Sequence, residues 1–79
     1  MNQMKDALQA AVEKTVAKVA NQVTGQATFN LGKDCRLLVT PGKAIVIDGE
    51  DQTVLIDGGK PVNAKLSRYQ ITKLLTHNF

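Results

Sequence analysis

The residues of this chain that could take part in chemistry are few, and no set of them suggests a catalytic site. The only histidine, His77, cannot build a metal site by itself, because such sites need several ligands. The only cysteine, Cys35, would need an activating base to act as a nucleophile, and otherwise behaves as a small apolar residue. No Ser, His and Asp set suggests itself around Ser67. We therefore predict no catalytic residues and expect that the protein is not an enzyme.

Two glycine-containing turns carry the residue types of ion-binding loops without their spacing. Residues 48–51 (Asp-Gly-Glu-Asp) offer carboxylates for Ca²⁺, but an EF-hand loop spreads its ligands along about twelve residues between two helices. Residues 58–60 (Gly-Gly-Lys) lack the G-x-x-x-x-G-K-[ST] run and the following helix of a phosphate loop. We interpret both segments as polar hairpin tips and predict neither a metal nor a cofactor.

Length and composition indicate one small domain, residues 1–79. A chain of 79 residues buries only about 60–65% of the surface of its unfolded state, so its core is small. A single cysteine permits no intramolecular disulfide, which favours a reducing compartment. No signal sequence and no apolar run near 18 residues is visible. We expect a cytoplasmic protein without a transmembrane segment.

The net charge of +3 resides in the C-terminal segment. Residues 61–79 contain Lys65, Arg68 and Lys73 and no acidic residue. A basic end of this kind could contact phosphate, an acidic lipid surface or a carboxylate, or could simply be a solvated helix face. The strands offer no pair of exposed aromatic residues for base stacking, so nucleic-acid binding is the least favoured of the functions considered.

The first segment, residues 2–24, has the pattern of an amphipathic helix that ends near Gly25. Its apolar stripe recurs at spacings of three and four residues. The stripe consists of Met4, Leu8, Val12, Val16, Val19 and Val23. We interpret it as the side that packs on a sheet. The alternative is an interaction face, either for a partner protein or for a homodimer through this helix.

The middle of the chain predicts a meander of short antiparallel strands. Segments with strand character are separated by turn residues at intervals of about ten residues, which favours hairpins over β-α-β units. The predicted strands are residues 27–31, 36–40, 44–47, 53–56 and 62–66. The fold class is therefore α+β, with an antiparallel sheet of about five strands that has helices on one face and water on the other.

The last helix, residues 67–78, is predicted by a capping box. Ser67 and Gln70 have the Ser-x-x-Gln spacing that satisfies free amide groups at a helix start. Ile71, Leu74 and Leu75 then fall on one helical face. The segment is expected to pack on the same sheet face as the first helix.

This C-terminal unit resembles the sterol-carrier-protein-2-like family. Residues 63–77 fit the family's pattern of a strand that ends in serine and leads into a helix with Leu-Leu-Thr; the residues in register are Ser67, Ile71, Leu74, Leu75 and Thr76. Residues 29–32, 36–39 and 42–46 look like the family's strands and its Gly-Lys hairpin. The chain departs from the family after Phe79, where members continue into a final strand, so we expect a short form whose cavity is incomplete, open or closed by a second subunit.

The resemblance implies a lipid-carrier-like module that binds a long apolar ligand, such as a fatty acyl chain or a sterol-like lipid, between sheet and helices. The apolar residues expected to line the site are Phe29, Leu31, Leu38, Ile45, Ile47, Leu55, Ile71, Leu74 and Leu75. Arg68 or Lys73 would meet the head group. The alternative is that these residues are only the core. A second hypothesis is a small protein-interaction module, such as an inhibitor or adaptor from a mobile genetic element.

Overall fold

The computed structural model describes residues 3–79, with side chains from Asp6 onward, and has an α+β fold. The elements are α1 (Gln3–Gln22), β1 (Ala27–Gly32), β2 (Cys35–Thr40), β3 (Lys43–Asp48), β4 (Asp51–Asp57), β5 (Lys60–Pro61) and α2 (Arg68–Thr76). The strands form one antiparallel sheet in chain order. Both helices pack on one face of this sheet, and they also contact each other. The predicted fold class is confirmed. Within these residues neither helix is both long and apolar enough to cross a bilayer.

The core fills the space between the helices and the sheet. Alternation along the strands sends every second side chain to this side, so Leu37 lies opposite Val46 and Val39 lies opposite Ala44 in the ladder, all fully buried. Val12, Val16 and Ala20 of α1 and Ile71 and Leu74 of α2 cover them; the other buried apolar residues are Leu31, Cys35, Leu55, Ile56 and Leu66. The stripe of α1 therefore packs on the sheet, as its spacing predicts.

A register irregularity in β4 adds one residue to the core. Ile45 pairs with Val54 and Ala44 pairs with Ile56, so Leu55 is the extra residue of a bulge. Leu55 and Ile56 are both fully buried as a result. The bulge lets a single strand bury two consecutive large side chains.

Two turns bind the C-terminal end of α1: the β2–β3 turn at residues 41–42 and the β4–β5 turn at residues 58–59. The amide of Gly42 donates to the carbonyl of Ala20 over 2.9 Å, and the side chain of Asn21 donates to the carbonyl of Gly59 over 3.1 Å. Gly59 also donates its amide to Gly42, which joins the two turns. A carbonyl at the helix end that would otherwise lack a partner is thereby satisfied.

The predicted strand over residues 62–66 is wrong. The last strand, β5, has only two residues and ends at Pro61, and the chain then runs without regular structure to Ser67. Asn63 has a φ of 57°, which interrupts an extended backbone. The segment must leave the sheet and reach the helical side, where Leu66 is 1% exposed, while Val62 remains 44% exposed. The alternating pattern of residues 62–66 thus reflects a half-buried connection from the sheet to α2.

The predicted capping box of α2 is confirmed. The amide of Gln70 donates to the Ser67 hydroxyl over 3.1 Å, and the Gln70 side chain accepts from the Ser67 amide over 2.9 Å. Gln70 is buried and also donates to a carboxylate oxygen of Asp48, at 3.4 Å, at the end of β3. One glutamine therefore fixes both the start of the helix and its position against the sheet.

Candidate functional site

The face of the sheet that carries no helix has an ordered apolar patch, which we call the open face. Leu38 of β2 lies opposite Ile45 of β3, and Ile45 lies opposite Val54 of β4. These three side chains form one row across the sheet, and Ile47 lies in the next row. All four are half-buried by their neighbours and none belongs to the core. The arrangement follows directly from strand alternation, because the adjacent residues Leu37, Val46 and Leu55 point to the helices.

The rim of the open face is polar and carries charges of both signs. Arg36 lies opposite Ile47, and Lys43 lies opposite Thr40. At the other margin Asp57 pairs with Lys60. The charged side chains of this rim are exposed. The exposed residues at the Arg36 end of the hairpins add the carboxylates of Asp34, Glu50 and Asp51, so the rim carries charges of both signs.

The nine predicted ligand residues do not share one pocket. Leu38, Ile45 and Ile47 lie on the open face, on the far side of the sheet from α2. Of the remaining six, four are core residues at 6% exposure or less: Leu31, Leu55, Ile71 and Leu74. Phe29 is half-buried at the sheet edge and Leu75 is exposed. The prediction combined strand positions of opposite parity, and such positions cannot face the same cavity.

A groove between α1 and the C-terminal end of the chain is a second candidate site. Its volume is about 460 Å³. The apolar wall consists of Val12, Val19, Leu74, Leu75 and Phe79, and the polar residues are Thr15, Lys18, Gln22, His77 and Asn78. Only Leu74 and Leu75 belong to the set predicted to line a ligand site. Two of its lining residues, Val12 and Leu74, also belong to the core, so the groove runs along the margin where α1 meets the C-terminal end of α2.

The predicted head-group residues do not line this groove. Arg68 is exposed at the start of α2. Lys73 extends its amino group over the ring of Tyr69, 5.2 Å from the ring centre. The cation that does reach the groove is Lys18, which the sequence reasoning missed. The signal was its position on α1, because Thr15, Lys18 and Gln22 fall on one side of a helix at spacings of three and four.

The predicted interaction face on α1 is largely used inside the molecule. Val12 and Val16 are buried, and Val19 and Val23 pack against the core. Among the members whose side chains are described, Leu8 is the exposed one, at 41%. Met4 lies in α1, but its side chain is outside the described part. A homodimer through the valines would require α1 to leave the sheet, and the hypothesis of a homodimer stays a prediction.

The potentially reactive residues have structural surroundings. Cys35 is fully buried, and its burial, reinforced by the nearby charge of Asp48, raises the pKa of the thiol. Ser67 serves as the cap of α2. Among residues whose side chains are described, no three His, Cys, Asp or Glu residues lie close enough together to hold a metal ion.

An aromatic cluster ties the C-terminal end of the chain to the edge of the sheet. The rings of Phe29 and Phe79 meet edge to face at 5.3 Å, and the ring of His77 lies 5.5 Å from Phe29 and 4.6 Å from Phe79. The sequence reasoning considered His77 only as a candidate metal ligand and as part of the last helix. The i, i+2 spacing of His77 and Phe79 was the available signal, but their common partner Phe29 is distant in sequence.

No protein-family model, curated protein or solved structure matches this chain. The resemblance to the sterol-carrier-protein-2-like family therefore remains a prediction.

Proposed function

We propose that this protein is a non-enzymatic protein-interaction module that binds its partner through the open face of the sheet. The observation that carries the proposal is the row Leu38, Ile45 and Val54, with Ile47 beside it, on a face that neither helix covers. The core on the other face is built without these side chains. Apolar residues that contribute little to the core but form one contiguous, partly exposed patch are typical of a binding surface.

The size of the open face predicts a weak or transient complex. Four strands about 4.8 Å apart, each about 6 residues long at about 3.3 Å per residue, give a face of about 400 Å². A standard interface buries about 800 Å² on each partner. Burial of the apolar centre supplies the affinity at about 25 cal/mol per Å², from which the cost of association must be subtracted.

The charged rim indicates the chemistry of the partner. Arg36 and Lys43 lie at opposite ends of the central strands, and carboxylates lie close to each: Asp34 and Glu50 in the turns at the Arg36 end, and Asp57 at the Lys43 end. A partner with an apolar patch bordered by charges of both signs would complement this surface. We expect the association rate to depend only weakly on salt, because the opposite charges of the rim offset each other at long range.

Substitution at the centre of the open face tests the proposal. Ile45→Lys places a charge in the middle of the row, and Thr72→Lys adds the same charge at an exposed position of α2, on the other side of the sheet. Both variants and the wild type would be immobilised and exposed to extract of the source cell, and the retained protein purified for affinity measurement. We expect one partner that binds the wild type and Thr72→Lys alike and binds Ile45→Lys at least about tenfold more weakly, since about 1.4 kcal/mol corresponds to tenfold. Equal binding of that partner to Ile45→Lys would refute the proposal.

The groove beside α1 supports a second candidate function, the lipid-carrier-like binding that the resemblance implies. Its apolar wall of Val19, Leu75 and Phe79 could take part of an acyl chain at about 0.8 kcal/mol per buried methylene, and Lys18 could meet the carboxylate. A titration with a long-chain fatty acid, followed by amide NMR, is expected to shift these residues saturably. Lys18→Gln should weaken binding, whereas Lys14→Gln, an exposed lysine of α1 outside the groove, should leave it unchanged. Unshifted groove residues at saturating fatty acid would end this candidate.

A further inference from the structure

We propose that two copies of this chain pair through the free edge of β1, so that their sheets join into one continuous antiparallel sheet. Strand β1 has a hydrogen-bonded neighbour on one side only, β2. Among residues 3–79, no backbone hydrogen bond outside the β1–β2 ladder involves β1. The amide and carbonyl groups that point away from β2 over residues 27–30 therefore have no backbone partner, whereas the Gly32 amide donates to the Asn30 side chain. Such an edge is a ready template for another strand.

The composition of β1 leaves this edge open to pairing, whereas the opposite edge is protected. The strand Ala27–Gly32 (ATFNLG) contains no charged residue and no proline. The other edge is formed by β4 and the two-residue strand β5, and it carries Asp51, Asp57, Lys60 and Pro61. Short strands, charges and proline are the features by which edges resist unwanted pairing. The β1 edge lacks them over residues 27–30, and only its Gly32 end has a register irregularity and the Lys73 side chain beside it.

A second copy is the occupant that the charge pattern fits. In antiparallel pairing about a two-fold axis normal to the sheet, the residue at the axis lies opposite itself, and every other residue lies opposite the one equally far beyond the axis. A charged residue near the axis would therefore meet a like charge, which destabilises strand pairs. The charges nearest to β1 are at its Gly32 end, where Lys33 follows the strand and the Lys73 side chain packs beside Gly32. Residues 27–30 carry no charge and are thus self-compatible.

The two faces of β1 are also consistent with this pairing. Ala27, Phe29 and Leu31 point to the helical side, and Thr28 and Asn30 to the open side. A two-fold axis normal to the sheet keeps these sides together, so the helices of both copies lie on one side of the joined sheet. The clusters of Phe29 and Phe79 would then meet across the axis, where Phe79 is 38% exposed in the single chain. Their contact would add apolar burial to the backbone hydrogen bonds.

This inference does not depend on the proposed function, because the β1 edge and the open face are different surfaces. Its test is the molar mass of the purified full chain by sedimentation equilibrium over a wide concentration range. We expect the mass to rise from 8.5 kDa toward twice that value. A mass that stays at 8.5 kDa at every concentration would overturn the inference.

Two matched variants test whether the dimer interface lies at the β1 edge. Thr28→Lys adds a charge at an exposed position of β1, and Gln52→Lys adds the same charge at an exposed position of β4, near the opposite edge of the sheet. We expect Thr28→Lys to raise the dissociation constant of the dimer about fivefold, the equivalent of about 1 kcal/mol, and Gln52→Lys to leave it unchanged. Equal weakening by both variants, or by Gln52→Lys alone, would place the contact elsewhere and refute pairing through β1.

Amide hydrogen exchange provides a readout that does not depend on any variant. In an antiparallel strand, alternate amides point to opposite edges. We therefore expect every second amide of β1 to become protected as the concentration of the wild type rises. A dimer that forms without new protection in β1 would overturn the inference, and so would a pattern of protection confined to β4.

Discussion

The adjacent residues Leu37 and Leu38 allow the division between core and open face to be tested by one pair of substitutions. Leu37 is fully buried between the sheet and the helices. Leu38 is half-buried on the opposite face, opposite Ile45. The two residues have the same side chain and the same strand environment, so Leu37→Ala and Leu38→Ala differ mainly in the face from which the side chain is removed.

The expected losses of stability differ several-fold. Truncation of a fully buried leucine removes its transfer free energy and leaves a cavity, which costs about 2–5 kcal/mol. Truncation of Leu38 leaves no enclosed cavity, and its partial exposure reduces the loss to about 1 kcal/mol or less. Since a chain of this size has a net stability of only about 3–5 kcal/mol, Leu37→Ala is expected to be close to unfolding, whereas Leu38→Ala remains folded.

Urea denaturation followed by far-ultraviolet circular dichroism measures both free energies of unfolding. If Leu37→Ala has no folded baseline, Val39→Ala and Val54→Ala form a second pair with smaller effects, since Val39 is fully buried and Val54 is half-buried on the open face. Their expected losses are about 2 kcal/mol and less than about 1 kcal/mol. Equal losses within either pair, or a larger loss on the open face, would refute the assignment of the two faces.

Three further predictions concern the helix cap, one turn and the thiol. Ser67→Ala removes the N-terminal cap of α2 and should lower the free energy of unfolding by about 1 kcal/mol. Ser67→Asp, which can also cap the helix, should lower it less. Urea melts that coincide for the wild type and Ser67→Ala would contradict this prediction. Gly59→Ala should lower the melting temperature much more than Gly25→Ala. Gly59 has a φ of 80°, and a Cβ there would lie 2.7 Å from the Asn21 side chain, whereas a Cβ at Gly25 would meet open space. Equal melting temperatures of the two variants would count against the turn geometry. Burial raises the pKa of Cys35 from 9.0, so the neutral thiol favours the folded state. This contribution is present at neutral pH and is lost as the pH rises from 9.0 through the folded pKa, so the free energy of unfolding of the wild type should fall there. A Cys35→Ala variant with the same fall would disprove the link.

The sequence predicts the parts of the fold that depend on local patterns. The apolar stripe over Val12, Val16 and Val19 and the capping box at Ser67 each have a local physical cause, so both helices are found close to their predicted bounds. Hairpin turns are likewise local, and four strands are found near their predicted positions. The exception is residues 62–66, where alternation is the same for a strand and for a crossover that buries Leu66. Which of the two structures forms depends on the tertiary contacts of this segment with the rest of the molecule.

The candidate sites depend on which side chains share a face, and here short-range patterns are insufficient. Leu38 and Leu31 are equally apolar in sequence, yet strand parity and register put one on the open face and the other in the core. The bulge at Leu55 shifts parity within β4, which no local signal marked. The groove near Lys18 requires the C-terminal residues His77 and Phe79 to fold back beside α1, which is a tertiary contact.

The open face and the β1 edge are neighbouring parts of one sheet, so pairing through β1 would also change the binding surface. A single open face offers about 400 Å², about half of what a standard interface uses on each partner. In a sheet joined at β1 both open faces lie on the same side, which doubles the area to about 800 Å². Binding of one large partner would then stabilise the dimer, because any ligand that prefers the paired state shifts the equilibrium toward it. A partner whose binding leaves the dimer dissociation constant unchanged must therefore contact one copy alone.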